Sequence, residues 1–151
     1  MSRYVIVPTE RKHLPLLANR LRAEDLAEIE ASGLPPRRML LRLWQNSSHC
    51  WTAFVDGEIA LVGGCAGQLL ESQGQAWLFT TAAIERVPMA FAKEARRWLR
   101  EVLAEKTSVV TACLDSYEKS FRFWSMLGFR HTGFETMPTG AIFKKMAMER
   151  A

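Results

Sequence analysis

The sequence has few of the residues that build metal sites and disulfide frameworks. It contains only three cysteines and three histidines in 151 residues. Cys50, Cys65 and Cys113 are odd in number, far apart and flanked by apolar residues, a pattern that favours buried, reduced thiols. None of the histidines stands at ligand spacing from a cysteine or a carboxylate pair. We therefore expect neither a disulfide scaffold nor a metal centre.

Long apolar runs and compositionally biased tracts are missing as well. No run approaches the roughly 18 apolar residues of a membrane helix, and the start, MSRYVIVPTERKHL, has too short an apolar stretch for a secretory signal. No repeat or low-complexity tract interrupts the chain. These absences predict a cytoplasmic protein without a membrane partner. The length fits one domain over residues 1–151.

The positive charge of the chain is modest, at +4, but it is clustered on two predicted helices. The clustered residues are Arg37, Arg38 and Arg42, then Arg86, Lys93, Arg96, Arg97 and Arg100. Such clusters suit a solvated helix face, a phosphate-bearing cofactor or nucleic acid. Nucleic acid is disfavoured as a partner because no aromatic residues interleave with the charges outside the apolar face.

Periodicity and turn signals predict an alternating order of strands and helices. Strands are expected at 3–8, on both sides of Asp56-Gly57, and at 75–81, 109–114, 129–136 and 141–149. Helices are expected in two short pieces within 13–32, from Pro36 onward, at 88–106, and in SYEKSFRFWSML, which Gly128 ends. The order predicts an α/β (α+β) domain with one central, mixed but mostly antiparallel sheet of about seven strands and flanking helices.

Two features of the sequence carry a family resemblance. The order of elements, together with FWSMLGF at 123–129, resembles the GNAT superfamily of acetyl-CoA-dependent N-acyltransferases, whose late helix ends in FYEKLGF. The runs RAEDLAEIEASG, WLFTT, RFWSMLGF and TGAIFKKMAM are more narrowly similar to a GNAT-like family of tailed-phage proteins that includes podophage internal virion proteins.

The superfamily resemblance implies acetyl-CoA as cofactor and a small-molecule or protein amine as acceptor. The phage resemblance implies phage structural proteins as partners, and a location in the host cytoplasm or the virion.

The resemblance also implies which residues would meet the cofactor. Backbone N–H groups at the end of strand 75–81, from Thr80 and Thr81, would receive the thioester carbonyl. The pyrophosphate would lie at the start of the following helix, where anions bind well. Its loop would comprise Arg86, Met89, Ala90 and Phe91. Tyr117 would face the pantetheine arm, and Trp124 stands where many relatives have a tyrosine that protonates the thiolate.

The sequence departs from the superfamily pattern in this loop and at Trp124. The loop contains no glycine, because Met89 and Phe91 stand where small residues belong, and Pro88 lacks an N–H donor. The alternative is that Met89 and Phe91 begin the apolar face of the helix. An indole N–H is no useful acid near neutral pH, and a core stripe would explain Tyr117 and Trp124 equally.

No catalytic base is evident. The strand QAWLFTT has no carboxylate, so Glu85 and Asp115 are the weak candidates within reach. The alternatives are that Glu85 is solvated in its loop and that Asp115 caps the next helix in a capping box with Glu118.

Three hypotheses follow from these residues. The first is a GNAT-shaped protein without catalysis, linked to a phage virion or its assembly, which the degenerate loop favours. The second is an acetyl-CoA-dependent N-acyltransferase of unknown amine substrate. The third is nucleic-acid binding through the arginine clusters.

Overall fold

The computed structural model describes residues 2–67 and 71–150. In this part of the chain, seven strands and five helices follow one another. They are β1 (Tyr4–Pro8), α1 (His13–Ala18), α2 (Ala23–Ala31), α3 (Pro36–Gln45), β2 (Ser47–Val55), β3 (Glu58–Ala66), β4 (Gln73–Thr80), α4 (Pro88–Glu105), β5 (Ser108–Leu114), α5 (Glu118–Leu127), β6 (Arg130–Thr136) and β7 (Ile142–Glu149). A 3₁₀ turn, Ala82–Arg86, joins β4 to α4.

All seven strands form a single sheet in the order β1-β2-β3-β4-β5-β7-β6. Only β4 and β5 run parallel; every other neighbouring pair is antiparallel. A parallel pair needs a crossover connection, and α4 supplies it. The predicted mixed, mostly antiparallel sheet is confirmed.

Local signals in the sequence set several boundaries. Asp56 and Gly57 have φ values of 50° and 81°, the positive values that a type I′ hairpin turn between β2 and β3 requires. Gly128 ends α5 in the left-handed region, with φ 110°. Pro36 and Pro88 each stand in the first turn of a helix, where a missing N–H is not needed.

The helices cover the two faces of the sheet. On one face, Leu17 of α1, Ile29 of α2 and Leu40 of α3 pack against strand residues such as Val62 and Phe79. On the other face, four side chains of α4 and α5 pack against β5 and β7. These side chains are Leu99 and Val102 of α4, and Trp124 and Leu127 of α5. The two arginine clusters therefore lie on helices separated by the sheet.

The thiols agree with the expected reduced state. All three cysteines are free; Cys65 and Cys113 are buried and Cys50 is half-buried. Burial raises the pKa of the Cys50 and Cys113 thiols to about 11. Among the described residues, no helix is long and apolar enough to cross a membrane. Residues 2–67 and 71–150 bring no three His, Cys, Asp or Glu side chains together as a metal site.

Candidate functional site

A cleft opens in the middle of the sheet because β4 and β5 separate. Their pairing covers only residues 73–75 of β4 and 108–110 of β5, although the strands continue to Thr80 and Leu114. The carboxyl ends of parallel strands are where ligands commonly bind in open α/β sheets. The cleft has a volume of about 90 Å³. Its lining comprises Arg22, Asp25, Leu78, Thr80, Phe91, Tyr117, Lys119, Ser120, Phe123 and Trp124.

The carboxylate of Asp25, from α2, fills the β4 side of this cleft. Its Oδ2 accepts hydrogen bonds from the Thr80 N–H at 2.9 Å and from the Thr80 hydroxyl at 2.6 Å. Its Oδ1 accepts a hydrogen bond from the Tyr117 hydroxyl at 2.9 Å. Asp25 is only 4% exposed, so these three donors replace water around its charge. The Thr80 N–H therefore already has a strong acceptor within the protein.

Arg22 offsets the buried negative charge. Its Nη2 donates to the Tyr117 hydroxyl at 3.1 Å, and its Nε lies 3.7 Å from Asp25 Oδ2. Its Nη1 lies 3.5 Å from Glu85 Oε1. Burial, and next the charge of Asp25, raise the pKa of Tyr117 well above its usual value. Tyr117 is therefore a protonated donor at neutral pH.

Glu28, one helical turn after Asp25, accepts a backbone hydrogen bond from the end of β5, as Asp25 does from the end of β4. Its Oε2 accepts a hydrogen bond from the Leu114 N–H at 3.0 Å. Burial raises the pKa of Glu28 to about 7; the charge of Asp25 adds to the rise and the Leu114 N–H opposes it. Residues three apart share a helix face. One face of α2 thus supplies a carboxylate to the free end of each separated strand.

Thr81 and Arg86 are turned away from the cleft. The Thr81 N–H donates to Ala60 O at 2.9 Å, and its hydroxyl donates to Ile59 O at 2.7 Å. The Arg86 guanidinium is 2.8 Å from Glu58 and 3.5 Å from Asp56, both at the β2–β3 hairpin. Its charge is already paired there.

The remaining loop residues divide between solvent and the cleft. Met89 is 86% exposed, so the interpretation that it begins the apolar face of α4 is wrong. Ala90 is half-buried. Phe91 lies in the cleft, and its ring stacks on that of Phe123 from α5, with centroids 4.9 Å apart and an interplanar angle of 9°. This stack fills space between the two helices.

Trp124 belongs to the core as well as to the cleft wall. It is 5% exposed, and its ring meets those of Phe123 and Phe129 edge-on at 5.4 and 5.1 Å. Tyr117 is buried too, but a core stripe accounts only for its ring, because its hydroxyl belongs to the Asp25 network.

The two carboxylates proposed from sequence lie at the surface. Glu85 has a 60% exposed side chain beside Arg22. Asp115 has a 50% exposed side chain, 3.8 Å from Lys144. The predicted capping box is wrong: α5 begins at Glu118 and no side chain caps it. The cleft instead brings together Arg22 and Asp25, and Glu28 lies one helical turn further on, against the end of β5. Sequence reasoning missed all three. Their spacing of three along α2 was the available signal, since it places charges on one helix face.

No protein-family model and no curated protein sequence matches this chain. Solved structures do match. A GNAT-family acetyltransferase from Bacillus anthracis superposes with a TM-score of 0.71 at 12% identity, covering 98% of this chain and 95% of that one. A putative phosphinothricin N-acetyltransferase gives 0.72 at 13% identity, covering 99% of both chains. The fold is that of the GNAT acetyltransferases.

Another GNAT structure is described with its ligand. The aminoglycoside acetyltransferase AAC(6')-Ib in complex with coenzyme A gives a TM-score of 0.69 at 17% identity, covering 98% of this chain and 95% of that one. At such identities the likeness concerns the GNAT fold alone. The resemblance to the tailed-phage family has no support in these comparisons and rests on the sequence runs.

Proposed function

We propose that this chain uses the GNAT fold without binding acetyl-CoA and acts non-catalytically, as a component of a phage particle or of its assembly. The observation that carries the proposal is the hydrogen bond that the Asp25 carboxylate accepts from the Thr80 N–H. In the superfamily, this part of the strand would receive the thioester carbonyl. A ligand carbonyl would have to displace a buried carboxylate that three donors hold.

The residues at the start of α4 do not suit the phosphate groups of the cofactor either. Pro88 removes one N–H from the start of α4, and no glycine lets the backbone approach an anion. Arg86 would have to leave Glu58 and Asp56 to meet a phosphate. The Phe91–Phe123 stack narrows the path between α4 and α5. The residues present do not fit acetyl-CoA, so no catalytic step is derived through it.

The phage role is supported by the runs RAEDLAEIEASG, WLFTT, RFWSMLGF and TGAIFKKMAM. A protein whose cleft does not accept acetyl-CoA would act through its surface, and phage structural proteins are the partners that the resemblance implies. The test is mass spectrometry of purified particles from a phage that encodes this chain, with and without the gene. We expect the protein in or on wild-type particles, or altered particle composition in the deletion. Unchanged composition with normal infectivity would contradict the role.

Cofactor binding is tested by thermal unfolding with 1 mM acetyl-CoA. A ligand with a Kd of about 10 µM would add about 2.7 kcal/mol and raise Tm by roughly 5–10 °C. We expect no shift for wild type or for the variants Arg86→Ala and Arg100→Ala. Arg100 is an exposed arginine of α4 and controls for loss of charge. A saturable shift in wild type would overturn the proposal, and loss of that shift in Arg86→Ala but not in Arg100→Ala would assign the phosphate contact to Arg86.

One observation favours the second candidate, an acetyl-CoA-dependent N-acyltransferase. Glu28 lies against the end of β5 with a pKa of about 7, the range in which a carboxylate serves well as a general base. This candidate requires both acetyl-CoA binding and turnover of an amine. If a panel of small and peptide amines is acetylated, Glu28→Gln must reduce kcat and flatten its pH profile, while Asp115→Asn changes neither.

A further inference from the structure

The edge strand β6 is the most exposed strand of the sheet. The sheet ends at β6, and six of the seven residues of this strand are exposed, among them Phe134 at 61%. Within residues 2–67 and 71–150, its backbone bonds only to β7 and, through the Gly133 carbonyl, to His131 Nε2 at 2.9 Å. An edge strand presents its remaining N–H and C=O groups as a template for another strand.

The other edge strand, β1, is less suited to such pairing. It has five residues, four of them half-buried, and it ends in Pro8, which has no N–H to donate. By contrast, β6 has neither lysine nor proline, two residues that commonly protect an edge. Its irregularity is a bulge at Thr132, which has no direct partner on β7. The edge that can accept a further strand is therefore β6.

The bulge decides which side chains of β6 share a face. In a regular strand, residues 130 and 135 would point to opposite faces, because side chains alternate. The extra residue, Thr132, brings Arg130 and Glu135 to one face of the sheet. It brings His131 and Phe134 to the other face, where their rings lie edge-on with centroids 4.8 Å apart. One face of β6 thus carries opposite charges, and the other carries two aromatic rings.

The order of these four residues is self-complementary. By their pairing with β7, Arg130 and Glu135 lie two positions on either side of Gly133, and His131 and Phe134 lie one position on either side. An antiparallel second copy of β6, centred on Gly133, would place its Glu135 opposite Arg130 and its Phe134 opposite His131. Opposite charges and aromatic rings that lie directly across an antiparallel pair stabilise it.

The groups that would pair are unpaired within the chain. Arg130 and Glu135 are exposed, and neither forms an ion pair in the part of the chain that the structure describes. The Phe134 ring is largely open to solvent, so a second copy would remove apolar surface from water. The backbone edge, the charges and the exposed ring therefore all match a second copy of the same strand.

We propose that β6 is a dimerisation edge, where a second copy of this chain adds its own β6 strand antiparallel about a two-fold axis at Gly133 and continues the sheet. A two-fold interface uses the same surface on both chains, so association stops at two. The proposal goes beyond the phage role and does not depend on it.

The first test is analytical ultracentrifugation of the full chain over a concentration series. We expect a monomer–dimer equilibrium for wild type. Arg130→Glu or Glu135→Arg would set like charges opposite each other at both ends of the interface, so each should raise Kd at least about tenfold. Arg96→Glu makes the same charge change as Arg130→Glu at an exposed position of α4 and should leave Kd unchanged.

Restored pairing separates the specific contacts from a general effect of charge. The double variant that combines Arg130→Glu with Glu135→Arg has both pairs again, with their signs exchanged, and should dimerise as wild type does. An equal mixture of the two single variants should form the heterodimer, because each then offers the charge that the other lacks. Circular dichroism of every variant checks that the fold is retained.

Disulfide trapping tests the register. A Cβ at Gly133 meets no atom within 4 Å in the chain, and it would lie opposite its own copy at the two-fold axis. Gly133→Cys should therefore cross-link to itself on oxidation, whereas Thr136→Cys, further along the strand, and wild type should not. The proposal fails if wild type stays monomeric, if the single charge reversals leave Kd unchanged, or if open-ended assemblies form.

Discussion

Two gaps in the packing of this protein contrast sharply: the cleft between β4 and β5, and the cavity beneath α4. In the cleft, Asp25 and Glu28 reach from α2 to the N–H groups of Thr80 and Leu114. In the cavity, aromatic rings such as Trp98 of α4 and two glycines of β3 surround about 330 Å³ of open space. Charged side chains narrow the first gap to about 90 Å³, whereas the second leaves about 330 Å³ open.

The physical difference is the kind of surface that each gap exposes. Separating two strands frees backbone N–H groups, which must find acceptors when they are buried. In the cleft, carboxylates from α2 are these acceptors. An apolar gap exposes no polar groups, so it lowers stability only through the van der Waals contacts that its walls lack. A narrow polar cleft and a wider apolar cavity can therefore adjoin one another and share aromatic lining residues.

The largest effect is expected at Trp124, which forms a wall of both gaps. Trp124→Ala should lower the free energy of unfolding by about 4 kcal/mol, because a buried aromatic side chain is lost from the core. Urea denaturation monitored by circular dichroism measures it. Met126→Ala, on the exposed side of the same helix, should cost less than about 1 kcal/mol. Similar losses of unfolding free energy in the two variants would contradict the core position of Trp124.

The next effect tests the polar cleft. Asp25→Ala leaves Thr80 and Tyr117 donors and the Arg22 charge without their acceptor, which should cost about 3 kcal/mol of unfolding free energy. Asp115→Ala, which removes an exposed carboxylate, should stay within about 0.5 kcal/mol. Equal stabilities of the two variants by urea denaturation would show that the network contributes little.

A smaller, pH-dependent effect is expected from Glu28. Its pKa is about 7 in the folded protein against an ordinary value of 4.5, so the unfolded chain loses the proton first. This group therefore lowers stability progressively from pH 4.5 to 7, and no further above pH 7. Glu28→Gln should raise the unfolding free energy by about 2 kcal/mol at pH 8 and leave it unchanged at pH 4. A gain that is the same at both pH values would argue against this pKa.

The smallest effect tests whether the cavity is truly open. Ala95→Phe places a ring in empty apolar space and should change stability by at most about 1 kcal/mol, with a rise in Tm as the expected direction. Ala76→Phe, in the closely packed part of the same face, should lower stability by about 2 kcal/mol through overpacking. Equal losses in the two variants, measured by calorimetry, would mean that the cavity is closed in solution.

Much of the fold could be predicted from local sequence. The Asp56-Gly57 turn, Gly128 after α5 and Pro88 before α4 act within a few residues of themselves, and each has the conformation its chemistry favours. The capping box at Asp115 was the exception, because the chain turns once more before α5 begins.

The site could not be predicted in this way. Asp25 and Thr80 are 55 residues apart, and Glu28 and Leu114 are 86 apart, so no periodicity or spacing connects them. Arg86 was expected near a phosphate because of its place in the loop, but the hairpin carboxylates hold it elsewhere.

The order of elements, the turns and the apolar faces follow from local sequence, since they depend on neighbouring residues and on periodicity. Long-range packing sets where β4 and β5 separate, which side chains satisfy the freed N–H groups, and where α4 leaves apolar space uncovered. Those outcomes depend on how distant surfaces meet, and a buried donor takes whichever acceptor the packing brings within reach.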